Sequence, residues 1–194
     1  MPQAEAPFHM HINRHNTHHT MIDLKEIRIR ETTISDFNNI MRVEEQAFGY
    51  DKEARLTAEL LADKSAEPIV SLLAFNGLQE QPLMHILAPL AVKPAYQGQG
   101  IGGRLIKAGL QLLEEKGSNL VFVLGHREYD PRYGFLPQAT NLDYTPPYPL
   151  PDEFPDYWMV HPLGRTGFAA GKGNIKCSDT LNKPEHWRDE ESDR

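Results

Sequence analysis

The sequence is poor in cysteine, in clustered positive charge and in long apolar runs. Its 194 residues contain a single cysteine, Cys177. One cysteine excludes a disulfide within the chain and a zinc site built from several cysteines. Lysine and arginine form no run, and the formal net charge is -7. A protein that binds nucleic acid needs clustered positive charge to neutralise the phosphates, and this sequence has none.

Apolar segments of membrane-spanning length are also missing from the sequence. The charged, apolar and small-residue order of a signal peptide does not occur either. We therefore expect a cytoplasmic protein with no nucleic-acid partner, no membrane association and no metal site. The hydrophobic content of 40% is sufficient for a buried core, and the length fits one domain with extensions.

The first part of the chain differs in composition from the rest. It holds His9, His11, His15, His18 and His19 among prolines and asparagines, with few apolar residues. This composition predicts a disordered, His-rich tail over residues 1–22. We expect the folded domain over residues 26–165 and a C-terminal extension over residues 166–194.

Periodicity predicts a mixed α/β fold for the domain. Helices are expected over residues 35–48 and 52–62, where apolar side chains recur at helical spacing. The apolar run at 120–125 is typical of a strand that is covered on both faces. The other expected strands cover residues 26–31, 68–76, 83–92, 157–160 and 175–178. The βαβ unit from residue 83 to residue 125 should form the centre of the sheet.

A glycine-rich loop lies between the run at 83–92 and an amphipathic helix expected over residues 100–116. It contains Gly98, Gly100, Gly102 and Gly103. Glycines leave the backbone bare, so a ligand can approach closely. The free N–H groups at the start of the helix favour an anion, usually a phosphate. The loop therefore predicts a phosphate-binding site.

The loop can be compared with two known nucleotide-binding motifs. Gly98, Gly100 and Gly103 match the G-x-G-x-x-G pattern of dinucleotide-binding folds. However, the first glycine lies well beyond the strand end at Val92, and no acidic residue follows the next strand to hold a ribose. A P-loop is excluded, because G-x-x-x-x-G-K-[ST] does not occur. A dinucleotide-binding oxidoreductase domain is kept as a less favoured alternative.

Residues 92–102 closely resemble the acetyl-CoA motif of the GNAT acetyltransferases. In that superfamily a [RQ]-x-x-G-x-[GA] loop follows the fourth strand, and its backbone amides bind the CoA pyrophosphate. Gln97, Gly100 and Gly102 occupy the positions of this motif. Downstream, Tyr133-Gly134-Phe135 resembles the closing aromatic-Gly-Phe signature. The phrases LAPLAV, VFVLGH and KPEHW are similar to the bacterial YhbS-like branch, and the resemblance covers roughly residues 27–188.

The resemblance implies a GNAT-like α/β fold, with a mixed, twisted central sheet and flanking helices. Family members usually have a further strand between the runs that stand here at 68–76 and 83–92. Only residues 77–82 separate these runs, which is enough for a turn but not for another strand. The fold class therefore includes the loss of one strand of the usual meander as an open alternative.

The resemblance also implies an N-acetyltransferase that transfers the acetyl group of acetyl-CoA directly to a primary amine. The implied donor-binding residues are Leu90, Ala91, Val92, Gln97, Gly98, Gln99, Gly100, Ile101, Gly102 and Gly103. A non-catalytic acyl-CoA-binding or sensor module is the alternative from another functional class. The sequence indicates neither the acceptor amine nor an oligomeric state.

The leaving CoA thiolate needs a proton donor. The family commonly has a tyrosine four residues before the glycine of its closing signature, and this position is Asp130 here. Tyr129 precedes it, although adjacent helical residues point about 100° apart. We predict Tyr129 as the catalytic acid. For the general base the sequence offers four candidates without deciding between them: Glu44, Glu45, His85 and His126.

Overall fold

The structure is a computed structural model that describes residues 29–66, 84–151, 154–165, 167–169 and 171–187. The predicted tail at 1–22, the predicted strand at 68–76 and the connection at 77–82 lie outside the described residues. Within the described part no helix has both the length and the apolar content needed to cross a membrane. The helices found there are α1 (Phe37–Phe48), α2 (Lys52–Ala62) and α3 (Ile101–Glu115), and the strands are β1 (Met84–Ile86), β2 (Leu120–Leu124), β3 (Tyr144–Thr145), β4 (Trp158–Pro162) and β5 (Gly173–Asn174).

Helices α1 and α2 lie where the apolar spacing predicts them. Gly49 ends α1 in a left-handed conformation with φ 81°, which a glycine adopts without steric cost. The prediction of a strand at 26–31 is wrong for its described part, because residues 29–31 form no strand. Instead, the guanidinium of Arg30 donates to the carboxylate of Asp36 at 2.7 and 2.8 Å. This ion pair stands directly before α1.

The main sheet of the described residues has the strand order β1-β2-β4. β1 runs parallel to β2, with Met84 opposite Leu120. β4 runs antiparallel to β2, with Trp158 opposite Leu124. The parallel pair arises because α3 carries the chain back to the starting edge of the sheet, as a βαβ crossover requires. The predicted mixed α/β sheet with flanking helices is confirmed.

β1 is much shorter than the predicted strand at 83–92. Its pairing with β2 ends where the N–H of Leu87 donates to the carbonyl of Phe122 at 2.8 Å. β2 continues to Leu124, and among the described residues its last two positions pair with β4 and not with the segment after β1. Pro89 has no N–H to contribute to a ladder. The extended segment at 87–93 therefore separates from β2, and a gap opens between two neighbouring parallel segments.

Side chains of β2 alternate between two apolar layers, and all five of its residues are buried. Val121 and Val123 face α3, where they pack with Ile106 and Leu113. The opposite face packs against aromatic side chains, and the Phe122 ring stacks on Trp158 with centroids 5.1 Å apart. The coverage on both faces that the apolar run predicts is confirmed.

Part of the predicted C-terminal extension belongs to the aromatic layer. Trp187 packs edge-on against Trp158 at 5.7 Å, and its indole N–H donates to the carbonyl of Leu181 at 2.7 Å. The prediction of a strand at 175–178 is wrong, because pairing in this region is confined to β5, which lies beside β3. Ile175 follows β5 and points into the core instead.

Candidate functional site

The glycine loop forms the start of α3. Gly98 and Gly100 have φ 72° and 80°, a region that other residues rarely adopt. Gly100 is the N-cap of α3, with no side-chain cap, and its carbonyl accepts from the N–H of Arg104 at 3.1 Å. The N–H groups of the first helical residues, Ile101–Gly103 in sequence, therefore have no acceptor inside the helix. They form the positive end of the helix dipole.

Two glutamine side chains hold the loop in this shape. The amide of Gln97 donates to the carbonyl of Val92 at 2.9 Å, and the amide of Gln99 donates to the carbonyl of Ala95 at 3.1 Å. Gln97 thus ties the loop to the end of the extended segment. The side chain of Gln97 therefore stabilises the backbone of the loop, which accounts for a glutamine at this position of the motif. The sequence pattern alone does not reveal this role.

Two tyrosines pack on the first turn of α3, each against one glycine. A Cβ at Gly102 would lie 2.5 Å from the hydroxyl oxygen of Tyr129. A Cβ at Gly103 would collide with the ring and hydroxyl of Tyr133. The two tyrosine rings are 5.1 Å apart and inclined at 57°. Both glycines are therefore required for close packing between the helix and the segment after β2.

The loop, α1 and the tyrosines enclose a pocket of about 300 Å³. Its lining includes eight of the predicted site residues, namely Leu90, Val92, Gln97, Gly98, Gly100, Ile101, Gly102 and Tyr129. Three predicted residues do not line it, namely Ala91, Gln99 and Gly103. The sequence analysis missed the contributions of Ala47, Phe48, Tyr96, Arg132 and Tyr133. Only the aromatic position of the closing signature could have indicated one of these, Tyr133.

A smaller cavity of about 60 Å³ lies in the gap between the separated strands. Residues 87–90 form one wall and residues 123–125 form the other. Phe48, Leu90 and Tyr129 line both cavities, so the gap adjoins the pocket. Within the described residues, the N–H groups of residues 90–92 donate to no other backbone group.

Tyr129 and Asp130 are adjacent in sequence but have different environments. Burial raises the pKa of Tyr129 above its usual value of about 10, and a hydrogen bond with Tyr133 raises it further. Tyr129 is therefore a protonated phenol at the wall of both cavities. Asp130 is buried, and its carboxylate accepts from the N–H of His126 at 2.7 Å. Asp130 thus braces the turn after β2.

None of the four candidates for the general base is among the residues that line the pocket at the glycine loop. His85 is buried and bonds through Nδ1 to the hydroxyl of Ser118 at 2.8 Å; burial lowers its pKa to about 4. His126 lines the small cavity and packs edge-on against Tyr157. Glu45 is exposed on α1.

Glu44, the fourth candidate, is unusual. Its side chain is only 6% exposed, and its Oε2 atom has no hydrogen-bond partner within the described residues. Burial, together with the negative charge of Glu53, raises its pKa to about 7. A carboxyl with this pKa exchanges a proton readily near neutral pH.

Comparison with known sequences identifies relatives of this chain. Residues 22–133 match the model of the Acetyltransferase (GNAT) family. The chain is 46% identical over 164 residues to the uncharacterized N-acetyltransferase YjhQ of Escherichia coli (strain K12), a match that covers 76% of this chain and 90% of YjhQ. It is 35% identical over 83 residues to the uncharacterized N-acetyltransferase YhbS of the same strain, which covers 41% of this chain and 50% of YhbS.

Solved structures show the same fold. The GNAT family N-acetyltransferase YhbS from Escherichia coli, in complex with CoA, matches with a TM-score of 0.64 and 24% identity over 79% of this chain and 91% of that chain. A GNAT family acetyltransferase from Brucella melitensis, in complex with acetyl-CoA, matches with a TM-score of 0.55 and 22% identity over 78% of this chain and 96% of that chain. These matches confirm the predicted fold class. The match to the family model and the identity to YjhQ show that this chain belongs to the GNAT acetyltransferase family.

Proposed function

We propose that this protein transfers the acetyl group of acetyl-CoA directly to a primary amine. One observation carries the proposal: the pocket at the glycine loop adjoins the gap between the separated strands, and Tyr129 lies on the wall of both. An extended thioester with a phosphorylated end needs an anion site that leads to a narrow apolar cleft. The family membership of the chain supports the same substrate.

The residues present fit the donor. The free N–H groups at the start of α3 and the bare backbone of Gly98 and Gly100 suit a pyrophosphate. The N–H groups of residues 90–92 have no backbone acceptor within the described part of the chain, and they suit the amide groups of an extended pantetheine arm. That the relatives named above were crystallised with CoA and acetyl-CoA supports this assignment.

The transfer itself requires few steps. The nitrogen of the amine attacks the thioester carbon, the carbon–sulfur bond breaks, and the thiolate of CoA takes up a proton. Backbone N–H groups at residues 90–92 would stabilise the negative charge that develops on the carbonyl oxygen. Holding both reactants in one cleft lowers the entropic barrier. Tyr129, kept protonated by burial, would supply the proton to sulfur.

Calorimetric titration with acetyl-CoA, with NADH as the control ligand, tests the donor assignment. We expect binding of acetyl-CoA alone. Binding of NADH alone would contradict the proposal and favour a dinucleotide-binding domain. Release of CoA in the presence of primary amines then tests transfer, and acetyl-CoA binding without turnover on any amine would favour a sensor module.

A further inference from the structure

We propose that Arg132 binds the pyrophosphate of the acyl-CoA donor, together with the start of α3. The inference deepens the proposed function and rests on it. It assigns a donor-binding residue that lies outside the glycine loop and directly before the closing signature at 133–135. Three observations support it, namely the charge of the pocket, the position of the guanidinium group and the geometry of the turn that carries it.

The pocket at the glycine loop is positively charged, although the chain has a formal net charge of -7. Arg132 is the one charged residue among the described residues that line this pocket, and no acidic residue is among them. Arg104 and Lys107 lie further along α3 and do not line it. The positive wall therefore consists of Arg132 and the N–H groups at the start of α3.

The guanidinium group of Arg132 lies close to the first turn of α3. Burial raises the pKa of Tyr129, and the positive charge of Arg132 partly opposes this rise, so the charge acts on that phenol. The phenol oxygen in turn lies against Gly102, since a Cβ added there would be 2.5 Å away. A positive charge therefore stands near the positive end of a helix dipole, which is unfavourable unless an anion balances both.

The protein itself does not supply that anion from its described residues. None of the ion pairs that they form includes Arg132. The carboxylate of Asp130, two positions earlier, accepts from the N–H of His126 instead. The side chain of Arg132 is exposed, so its planar fork of N–H donors can take two oxygens of a phosphate at little desolvation cost.

The turn that carries Arg132 holds its backbone in a fixed place beside α3. Asp130–Tyr133 form a short 3-10 helix, and the N–H of Arg132 donates to the carbonyl of Tyr129 at 3.1 Å. The two tyrosines nearest to Arg132 in the chain each pack against one glycine of the first turn of α3. Because this backbone is already ordered, binding of a ligand by Arg132 costs less conformational entropy.

The pyrophosphate is the group of the donor that fits this position. Gly98, Gly100 and Ile101 line the same pocket as Arg132, and the N–H groups at the start of α3 suit a phosphate. A guanidinium in that pocket adds a second set of donors for the same diphosphate. The 3′-phosphate of CoA is carried on the ribose instead. Arg132 should therefore contribute equally to the binding of donors with and without a 3′-phosphate.

Calorimetric titration with acetyl-CoA and with acetyl-3′-dephospho-CoA tests the inference. Arg132→Met should weaken the binding of both ligands by the same factor, about tenfold, and should reduce the salt dependence of the affinity. Arg132→Lys should lose about threefold, because an ammonium group keeps the charge but not the fork of donors. The melting temperature of ligand-free Arg132→Met should equal or exceed that of wild type, since a cation beside the start of α3 is removed.

Arg127→Met is the matched control, because Arg127 is an exposed arginine of the same segment that does not line the pocket. It should keep the wild-type affinity for both ligands. Unchanged affinity of Arg132→Met would overturn the inference. A loss confined to acetyl-CoA would also overturn it, since Arg132 would then bind the 3′-phosphate.

A lower melting temperature of ligand-free Arg132→Met, together with weaker binding, would overturn the inference in favour of a structural role. If Arg132→Met does not fold, Arg132→Lys provides the same comparison between the two ligands. Failure of wild type to bind acetyl-CoA would instead contradict the proposed function itself.

Discussion

The loop before α3 contains two pairs of glycines that look alike in sequence but differ in structure. Gly98 and Gly100 have positive φ angles, and an added Cβ would meet no atom within 4 Å. Gly102 and Gly103 have ordinary helical backbones, but an added Cβ would meet Tyr129 and Tyr133. The first pair is needed for the shape of the backbone, and the second pair is needed for contact with the tyrosines.

This difference separates two functions within six residues. Gly98 and Gly100 line the pocket in which the phosphates of the donor are proposed to bind. In the second pair, Gly102 packs against Tyr129, the phenol that is proposed to protonate sulfur, and Gly103 packs against Tyr133. Substitutions in the first pair should therefore change binding, and substitutions in the second pair should change turnover.

The largest effect on the binding of acetyl-CoA is expected for Gly100→Val. A β-branched residue is strained in the left-handed region, which costs roughly 1–2 kcal/mol, and its side chain would occupy space open to the ligand. We expect a fall in acetyl-CoA affinity of more than about tenfold, measured by calorimetry. Gly109→Ala is the control, because Gly109 also lies in α3 but has open space and lies outside the pocket. Unchanged affinity in Gly100→Val would contradict the phosphate site.

Tyr129→Phe tests the proposed role of the tyrosine that packs against Gly102. We expect turnover to fall by about 100-fold, with acetyl-CoA affinity unchanged, because only the proton donor is lost. Burial raises the pKa of Tyr129, and an acid must be protonated to act. The wild-type rate should therefore show no alkaline decline below about pH 10. Equal turnover of Tyr129→Phe and wild type would exclude Tyr129 as the acid.

Gly102→Ala should have a smaller effect on turnover, about tenfold, because the new Cβ displaces the hydroxyl of Tyr129 without removing it. The double variant Gly102→Ala/Tyr129→Phe has no hydroxyl to displace. In a double-mutant cycle the alanine should therefore cost much less turnover when it is added to the Tyr129→Phe variant than when it is added to wild type. Additive losses would show that Gly102 acts independently of Tyr129.

Local patterns were sufficient to predict the helices and the central strand. The spacing of apolar residues predicts α1 and α2, and the continuous run predicts the buried strand β2. The length of β1 could not be predicted in this way, since it depends on where the neighbouring strand stops pairing. An apolar run beside a widening gap looks the same in sequence as a paired strand.

For the site, too, local sequence patterns predict some residues but not the contacts between residues that are distant in the chain. The glycines and Tyr129 could be identified from motifs, but the contacts of Gly102 and Gly103 join residues far apart in the chain. Glu44 and Glu45 are neighbours with identical side chains, yet only Glu44 is buried. A local pattern treats both as solvent-facing, because burial of one carboxylate is decided by the packing of α1 against α2.

A third contact between a glycine and a side chain lies outside the loop and should have the smallest effect. A Cβ at Gly125 would collide with the carboxyl of Asp130, whose pKa burial raises above its usual value. A carboxyl with a raised pKa in the folded state stabilises the protein below its unfolded pKa of about 3.9, and this contribution is lost as pH rises through the folded pKa. Asp130→Asn keeps an oxygen that can accept from the N–H of His126 but has no such titration. The melting temperature of the variant relative to wild type should therefore increase between pH 4 and pH 7, and a constant difference would show that Asp130 does not titrate differently on folding.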